Sequence, residues 1–261
     1  MTATLDTLRL LAATTRPART TLAPHELMAT VLDGRYGIEF EPVVAKDDAV
    51  LAWRAHARFL DAHGRPADAD SVFAALHANP ALLLHVEIEL KRLAIAAAPA
   101  GGALLLPLDA DSFTAAGGSD SGNPFIALFR AEPRAVVEIC ENRTLAYPSR
   151  VQSLLRALAS HDIPVAAGRT TPGTAWCETV AEVDWVSLPC PSAPREPMNL
   201  MMLEEAAEAA RRAGITAILS SVSTPYHLVL ARAIGFAGAC GPLFRDCSET
   251  AWAGERRASA A

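Results

Sequence analysis

The sequence has no cluster of basic residues and no long hydrophobic run. Its 261 residues carry a formal net charge of -6, with 23 Lys and Arg against 29 Asp and Glu. Nucleic-acid binding needs concentrated positive charge to neutralise phosphates, so direct binding of nucleic acid is not expected. The longest apolar stretch, residues 93–106, is interrupted by Pro99 and by two adjacent glycines, so no membrane-spanning helix is expected either.

Three kinds of motif are also missing. The N-terminus lacks the basic start and apolar block of a signal peptide, which favours a cytoplasmic location. The five cysteines show no CxxC spacing, so we expect reduced thiols and no zinc-thiolate site. They are Cys140, Cys177, Cys190, Cys240 and Cys247. No glycine-rich phosphate loop follows any predicted strand, which disfavours an open nucleotide-binding sheet.

The hydrophobic content, 51%, is enough for one large core in a single α/β domain. Hydrophobic patterns predict eight strands with helices in most of the gaps, although the second strand also fits a helical pattern. The predicted strands are residues 36–45, 50–59, 103–110, 136–140, 163–167, 183–188, 215–221 and 237–240. This alternation predicts a mostly parallel sheet, and eight repeats favour a closed (β/α)8 barrel.

The predicted barrel occupies residues 23–247. Residues 1–22 are predicted to form an N-terminal arm with one short helix, and residues 248–261 a flexible tail, because that segment is small and polar. We therefore expect one folded domain with two peripheral extensions.

The stretch VVEICEN, residues 136–142, is an apolar run that ends in two carboxylates. Glu138 and Glu141 come near the carboxyl end of the predicted strand, where parallel α/β barrels place their chemistry. The alternative is that both are ion-paired charges at the rim, since structural carboxylates outnumber catalytic ones. The strand alone does not decide between these readings.

Six segments resemble motifs of one family in the same order along the chain. They are FEPVV (40–44), VEICEN (137–142), IPVAAGRTTPGTAW (163–176), VDWVSLP (183–189), ITAILSSVST (215–224) and GFAGACGPLF (235–244). These look like YQPIV, LEITEN, IALDDFGTGYSS, VDYIKID, IAEGVET and QGYLF of the EAL-domain family, the cyclic di-GMP phosphodiesterases. The resemblance covers residues 26–246 and implies a modified TIM barrel whose first strand runs antiparallel to the others.

Enzymes of that family hold metal ions with carboxylates and an amide at the strand ends. The resemblance implies that Glu138 is the one clear ligand that remains. The other corresponding positions are Arg54, Pro107, Gly168, Arg169, Ser187, Ser220 and Cys240. Because two of these are arginines, we predict neither a metal nor a cofactor at this pocket. Arg54 or Arg169 is expected to pair with Glu138, and Asp109 is a second candidate partner.

The sequence therefore predicts a catalytically inactive EAL-like protein, not an enzyme, that acts through a protein partner in bacterial signalling of motility, biofilm formation or virulence. The alternative is a receptor that binds cyclic di-GMP without turnover, with Arg58, Arg54 and Arg169 as phosphate contacts. Glu41, which stands where the family has a glutamine, opposes nucleotide binding by its charge. The candidate partner surfaces are the helix at 199–213, the segment 112–123 and the N-terminal arm, and a homodimer stays open.

Overall fold

A computed structural model describes residues 27, 30–31, 33–118, 122–140, 148–168, 183–194 and 196–253. The predicted arm at 1–22, Glu141 and Arg169 lie outside these residues. Of the helix predicted within residues 23–34, Leu27, Thr30 and Val31 are helical and buried.

The described chain begins with three consecutive strands, and helices lie between most of the later strands. The strands are β1 (Tyr36–Ala45), β2 (Val50–Leu60), β3 (Pro66–Ala67), β4 (Ala103–Leu108), β5 (Ala135–Cys140), β6 (Val165–Gly168), β7 (Trp185–Pro189), β8 (Thr216–Ser220), β9 (Gly238–Ala239) and β10 (Glu249–Trp252). The helices are α1 (Ala69–Leu76), α2 (Pro80–Ala97), α3 (Ala110–Ala115), α4 (Pro124–Ala131), α5 (Pro148–Ala159), α6 (Pro197–Arg212) and α7 (Pro225–Ile234), followed by a 3-10 helix at Pro242–Cys247.

Eight of these strands close into a barrel, which confirms the predicted fold. The strands β2, β4, β5, β6, β7, β8 and β9 are parallel neighbours in that order. Strand β1 completes the ring by pairing antiparallel with both β2 and β9. Each of the eight predicted strands is a strand of this ring, and residues 50–59 belong to β2 rather than to a helix.

Three features differ from the sequence-based prediction. Strand β4 ends at Leu108 rather than at residue 110, because the Asp109 side chain accepts hydrogen bonds from the backbone N–H groups of Asp111 and Ser112 and so caps α3. The short β3 pairs with the end of β2. In the segment predicted to be a flexible tail, Glu249–Trp252 forms β10, which pairs antiparallel with β1 and so is not frayed.

The barrel has two apolar layers. The larger lies between the strands and the surrounding helices and includes Phe40, Phe59, Leu106 and Val137. The smaller fills the barrel interior and consists of Val43, Ala52, Leu105, Val136, Ala166, Ile218 and Cys240. Within the part of the chain that the structure describes, no helix is both long and apolar enough to cross a membrane.

Candidate functional site

One layer of side chains inside the barrel collects the positions singled out from the sequence. Residues two apart on a strand face the same side. Leu105, Val136, Ala166 and Ile218 fill the interior, so the side chains two residues closer to the carboxyl end also face inward. The described members of this upper interior layer include Arg54, Pro107, Glu138, Gly168, Ser187, Ser220 and Cys240, together with Glu41 of β1, which lies opposite Arg54.

Arg54 lies at the centre of this layer. Its Nη2 is 2.9 Å from Oε1 of Glu138, and the two side chains are only 6% and 2% exposed. Its Nη1 contacts Sγ of Cys240 at 3.2 Å and lies 3.9 Å from Oε2 of Glu41. The predicted pairing of an arginine with Glu138 is thus present, and Arg54 is the partner. Asp109 lies elsewhere and contacts His77.

Gly168 leaves the space that the Glu138 side chain occupies. A Cβ at this position would lie 2.7 Å from Oε1 and 2.8 Å from Cγ of Glu138. Real Cβ atoms do not approach other atoms so closely, so any larger residue would push Glu138 away from Arg54. Glycine at the end of β6 and the ion pair between β2 and β5 therefore depend on one another.

Burial and neighbouring charged groups shift the pKa values of two side chains near Arg54. Burial raises the pKa of Cys240 to about 12, so the thiol that Arg54 contacts is neutral. Burial alone would raise the pKa of Glu41, but a hydrogen bond from His56 at 3.1 Å and the charges of His56 and Arg54 bring it below its ordinary value. Glu41 therefore stays a carboxylate at neutral pH, and the layer holds two acids around one arginine.

Comparison with solved structures identifies the architecture. The EAL enzyme Bd1971 in its cAMP-bound form matches with a TM-score of 0.71 at 11% identity, over 93% of this chain and 68% of that one. The Xanthomonas citri FimX EAL domain in complex with c-di-GMP matches with a TM-score of 0.69 at 14% identity, over 96% and 97%. The Bacillus subtilis YkuI protein, in complex with c-di-GMP and calcium, matches at 0.68 and 16%, over 85% and 57%. The chain has the EAL-domain fold. No protein-family model and no curated protein matches the sequence.

The described interior of this EAL-type barrel does not fit a divalent cation. Such ions need several oxygen or nitrogen donors around one point. Pro107 and Gly168 offer no side-chain donor, and the hydroxyl of Ser220 already donates to the carbonyl of Leu188 at 3.2 Å. Of the two carboxylates, Glu138 is paired with Arg54 at 2.9 Å, and Glu41 is hydrogen-bonded to His56 and lies 3.9 Å from Arg54. The arginine occupies the place beside Glu138 that a cation would need.

The predicted phosphate contacts do not form one cluster. Arg58 lies on β2 beyond Arg54, toward the carboxyl end of the strand. Its Nε donates a hydrogen bond to Oε2 of Glu39 at 2.6 Å, and its side chain is 40% exposed. Arg54 is buried against Glu138 and Glu41. Arg169 lies outside the described residues. Only Arg58 thus presents a cation to the mouth of the EAL-type barrel among the described members of this set.

One cluster at the carboxyl end of the EAL-type barrel was missed from the sequence. Nε2 of His77 lies 2.9 Å from Oδ2 of Asp109 and 3.9 Å from Oδ2 of Asp111. Arg150 of α5 donates to Oδ1 of Asp111. His77 follows α1 and the two aspartates follow β4, so 32 residues separate His77 from Asp109. No local motif joins them.

Proposed function

We propose that this chain is a catalytically inactive EAL-like regulator that acts through contact with a protein partner in bacterial cyclic di-GMP signalling. The observation that carries the proposal is the Arg54–Glu138 ion pair in the barrel interior. Hydrolysis in the family depends on metal ions that activate water and neutralise phosphate charge. An arginine paired with Glu138 supplies charge but no metal-bound water.

The proposal is tested by turnover of cyclic di-GMP with Mg²⁺ or Mn²⁺, followed by chromatography of the products. We expect no hydrolysis above the buffer rate for the wild-type protein and for Glu138→Gln. The glutamine keeps the shape of the side chain that lies against Gly168 and removes its charge. Metal-dependent turnover that disappears in Glu138→Gln would refute catalytic inactivity.

The proposed partner surface lies on α6 and α7. These helices pack together, and each begins just after the carboxyl end of a barrel strand, so their first turns lie at the same end of the molecule. Four large apolar side chains on these turns are exposed by 37–63%: Met198, Met201, Tyr226 and Val229. Exposed apolar groups on neighbouring helices are typical of interaction sites, and methionine adapts to varied partners.

The charge beside this surface, which we call the α6–α7 surface, favours one kind of partner. Glu204 and Glu205 are exposed on the next turn of α6. A partner that combines apolar side chains with basic residues would fit both features. Of the other candidate surfaces, the segment 112–123 is less suitable, since Ser112, Phe113 and Asn123 are buried.

The partner proposal is tested by affinity capture from cell extract with three proteins. They are the wild type, Met198→Glu with Val229→Glu, and the control Ala127→Glu, which adds a charge at an exposed position on α4. We expect the same partner to be retained by the wild type and the control and lost from the double variant. Retention by all three would remove the α6–α7 surface from the proposal.

A receptor for cyclic di-GMP is the second candidate, favoured by the partly exposed Arg58 at the barrel mouth and by the c-di-GMP complexes of similar folds. Calorimetric titration of cyclic di-GMP, with Mg²⁺ and again with chelator, tests it. A receptor would be favoured by binding that is unchanged by chelator, is lost in Arg58→Ala and is retained in the control Arg92→Ala. Arg92 is a suitable control because it is a surface arginine that is also paired with a glutamate. No heat at high ligand concentration would leave the protein partner as the function.

A further inference from the structure

We propose that His77, Asp109 and Asp111 form a binding site for a divalent transition-metal ion of the Zn²⁺ class. The three residues are separate from the upper interior layer around Arg54. His77 is the residue that ends α1, Asp109 follows β4 directly, and Asp111 lies in the first turn of α3. One ligand atom from each residue lies within 4.8 Å of the other two.

The imidazole of His77 is held in the orientation that a metal ligand requires. Its Nδ1 lies 2.8 Å from the carbonyl oxygen of Phe73. A carbonyl only accepts hydrogen bonds, so Nδ1 carries a hydrogen. The outward atom is Nε2, which hydrogen-bonds to Oδ2 of Asp109 and would bind an ion in place of that hydrogen. A histidine that donates one ring N–H to a backbone carbonyl and directs the other nitrogen at the ion is the common arrangement in metal sites.

Each aspartate is anchored through one oxygen and presents the other to His77. Oδ1 of Asp109 accepts from the backbone N–H of Asp111 at 2.8 Å and from that of Ser112, which leaves Oδ2 facing Nε2. Oδ1 of Asp111 accepts from Arg150, and its Oδ2 also faces Nε2. Arg150 neutralises part of the negative charge but does not occupy the oxygen that would bind the ion.

The spacing suits a small transition ion. Bonds of about 2.0–2.2 Å to zinc place neighbouring tetrahedral ligands about 3.3 Å apart. The observed separations from Nε2, 2.9 and 3.9 Å, lie on either side of that value. One imidazole with two carboxylates favours Zn²⁺, Co²⁺ or Mn²⁺ over Mg²⁺ and Ca²⁺, which prefer oxygen ligands alone.

A bound ion would join segments that are distant in sequence. It would connect the end of α1 to the start of α3, and Arg150 extends this link to α5. Three protein ligands leave one tetrahedral position for water. The ion would therefore fix the helices around the carboxyl end of β4, beside the mouth of the barrel.

The test is calorimetric titration of ZnCl₂ into protein first stripped with a chelator and then freed of it. We expect one equivalent to bind the wild type and to raise its melting temperature. Asp111→Asn, at the partly exposed edge of the cluster, should weaken binding by at least about 10-fold, the smallest loss usual even for outer-shell partners of metal ligands. His77→Gln should remove binding, and His85→Gln, which changes an exposed histidine on α2, should leave it unchanged.

Three results would overturn the proposal. The cluster would be no more than an internal ion pair if the wild type bound no single equivalent of zinc. The same would follow if Asp111→Asn and His77→Gln both bound zinc as tightly as the wild type. Titration with Co²⁺ provides the second check, since a strong near-ultraviolet thiolate band would place the ion on cysteines. Asp111→Asn keeps the proposal testable should His77→Gln fail to fold.

Discussion

Replacing Gly168 with alanine tests whether glycine is needed to seat Glu138 against Arg54. The new Cβ would lie 2.7, 2.8 and 2.9 Å from three atoms of Glu138, so that side chain must move away from Arg54. Overpacking of a tight interior costs about 1–3 kcal/mol. Loss of one partner from a buried ion pair costs about 3–5 kcal/mol when the other charge is left unpaired. Replacing glycine with alanine also stabilises the folded state by about 0.4–1 kcal/mol, because alanine has less conformational entropy in the unfolded chain.

We therefore expect Gly168→Ala to lower the free energy of unfolding by about 1 kcal/mol if Glu138 keeps its contact with Arg54, and by about 3 kcal/mol if the ion pair opens fully. Urea denaturation measures this as a lower midpoint with an unchanged slope. The matched control is Gly122→Ala, where a Cβ would meet no atom within 4 Å and φ is not positive. That variant should be neutral or slightly more stable.

A double-mutant cycle identifies the cause. With Glu138→Ala in the background, the atoms that collide with the new Cβ are gone, so Gly168→Ala should lose most of its cost. We expect a coupling energy of at least about 1 kcal/mol between the two positions. Equal stabilities for Gly168→Ala and Gly122→Ala, or a coupling energy near zero, would refute the argument that glycine is needed to seat Glu138.

Three further predictions follow from buried charges and thiols. Glu138→Ala should destabilise the fold by about 3–5 kcal/mol, whereas the double variant Arg54→Met with Glu138→Leu should destabilise it less, because no unpaired charge is left buried. Urea denaturation midpoints compare the two variants, and an equal or greater loss of stability in the double variant would contradict this. The hydrogen bond to Asp109 raises the pKa of His77 to about 9, above its ordinary 6.5. In the presence of chelator, the stability that this pair supplies should therefore be complete below pH 6.5 and lost as the pH rises through 9. Melting temperatures of the wild type and His77→Gln measured against pH test this, and parallel curves would contradict it. A thiol reagent should label the exposed Cys247 in the native protein and leave the buried Cys240, whose pKa is about 12, unlabelled. Peptide mass spectrometry measures the two labelling rates, and equal rates would show that the reagent reaches the barrel interior.

The barrel could be predicted because its strands are short apolar runs with clear ends. The run at residues 136–140 gave β5, and the order of such runs gave the ring. The start of α3 was missed because Leu106 and Leu108 continue the strand pattern, and only the Asp109 side chain marks the change. The strand β10, with sequence ETAW, has no apolar run and forms because β1 offers an edge.

The candidate site was predicted in composition but not in contacts. The resemblance singled out the positions that the structure gathers in the upper interior layer, and charge indicated that an arginine would meet Glu138. It left Arg54 and Arg169 as equal choices, since the contacts of Arg54 with Glu138 and Cys240 form only when distant strands assemble into the barrel. The cluster of His77 with Asp109 and Asp111 depends on the turn after α1 reaching the end of β4, which no local pattern encodes.

The antiparallel first strand has a consequence for how the chain folds. The ring closes only where Val44 and Ala45 of β1 pair with Ala239 and Gly238 of β9, near the two ends of the barrel sequence. Contacts between residues so far apart in sequence carry a large loop-closure entropy and slow folding. During synthesis, β1 can pair with β2 at once, but its other edge must wait until β9 leaves the ribosome. Until then the nascent chain exposes an unpaired strand edge at each side of an open sheet, the state most vulnerable to aggregation.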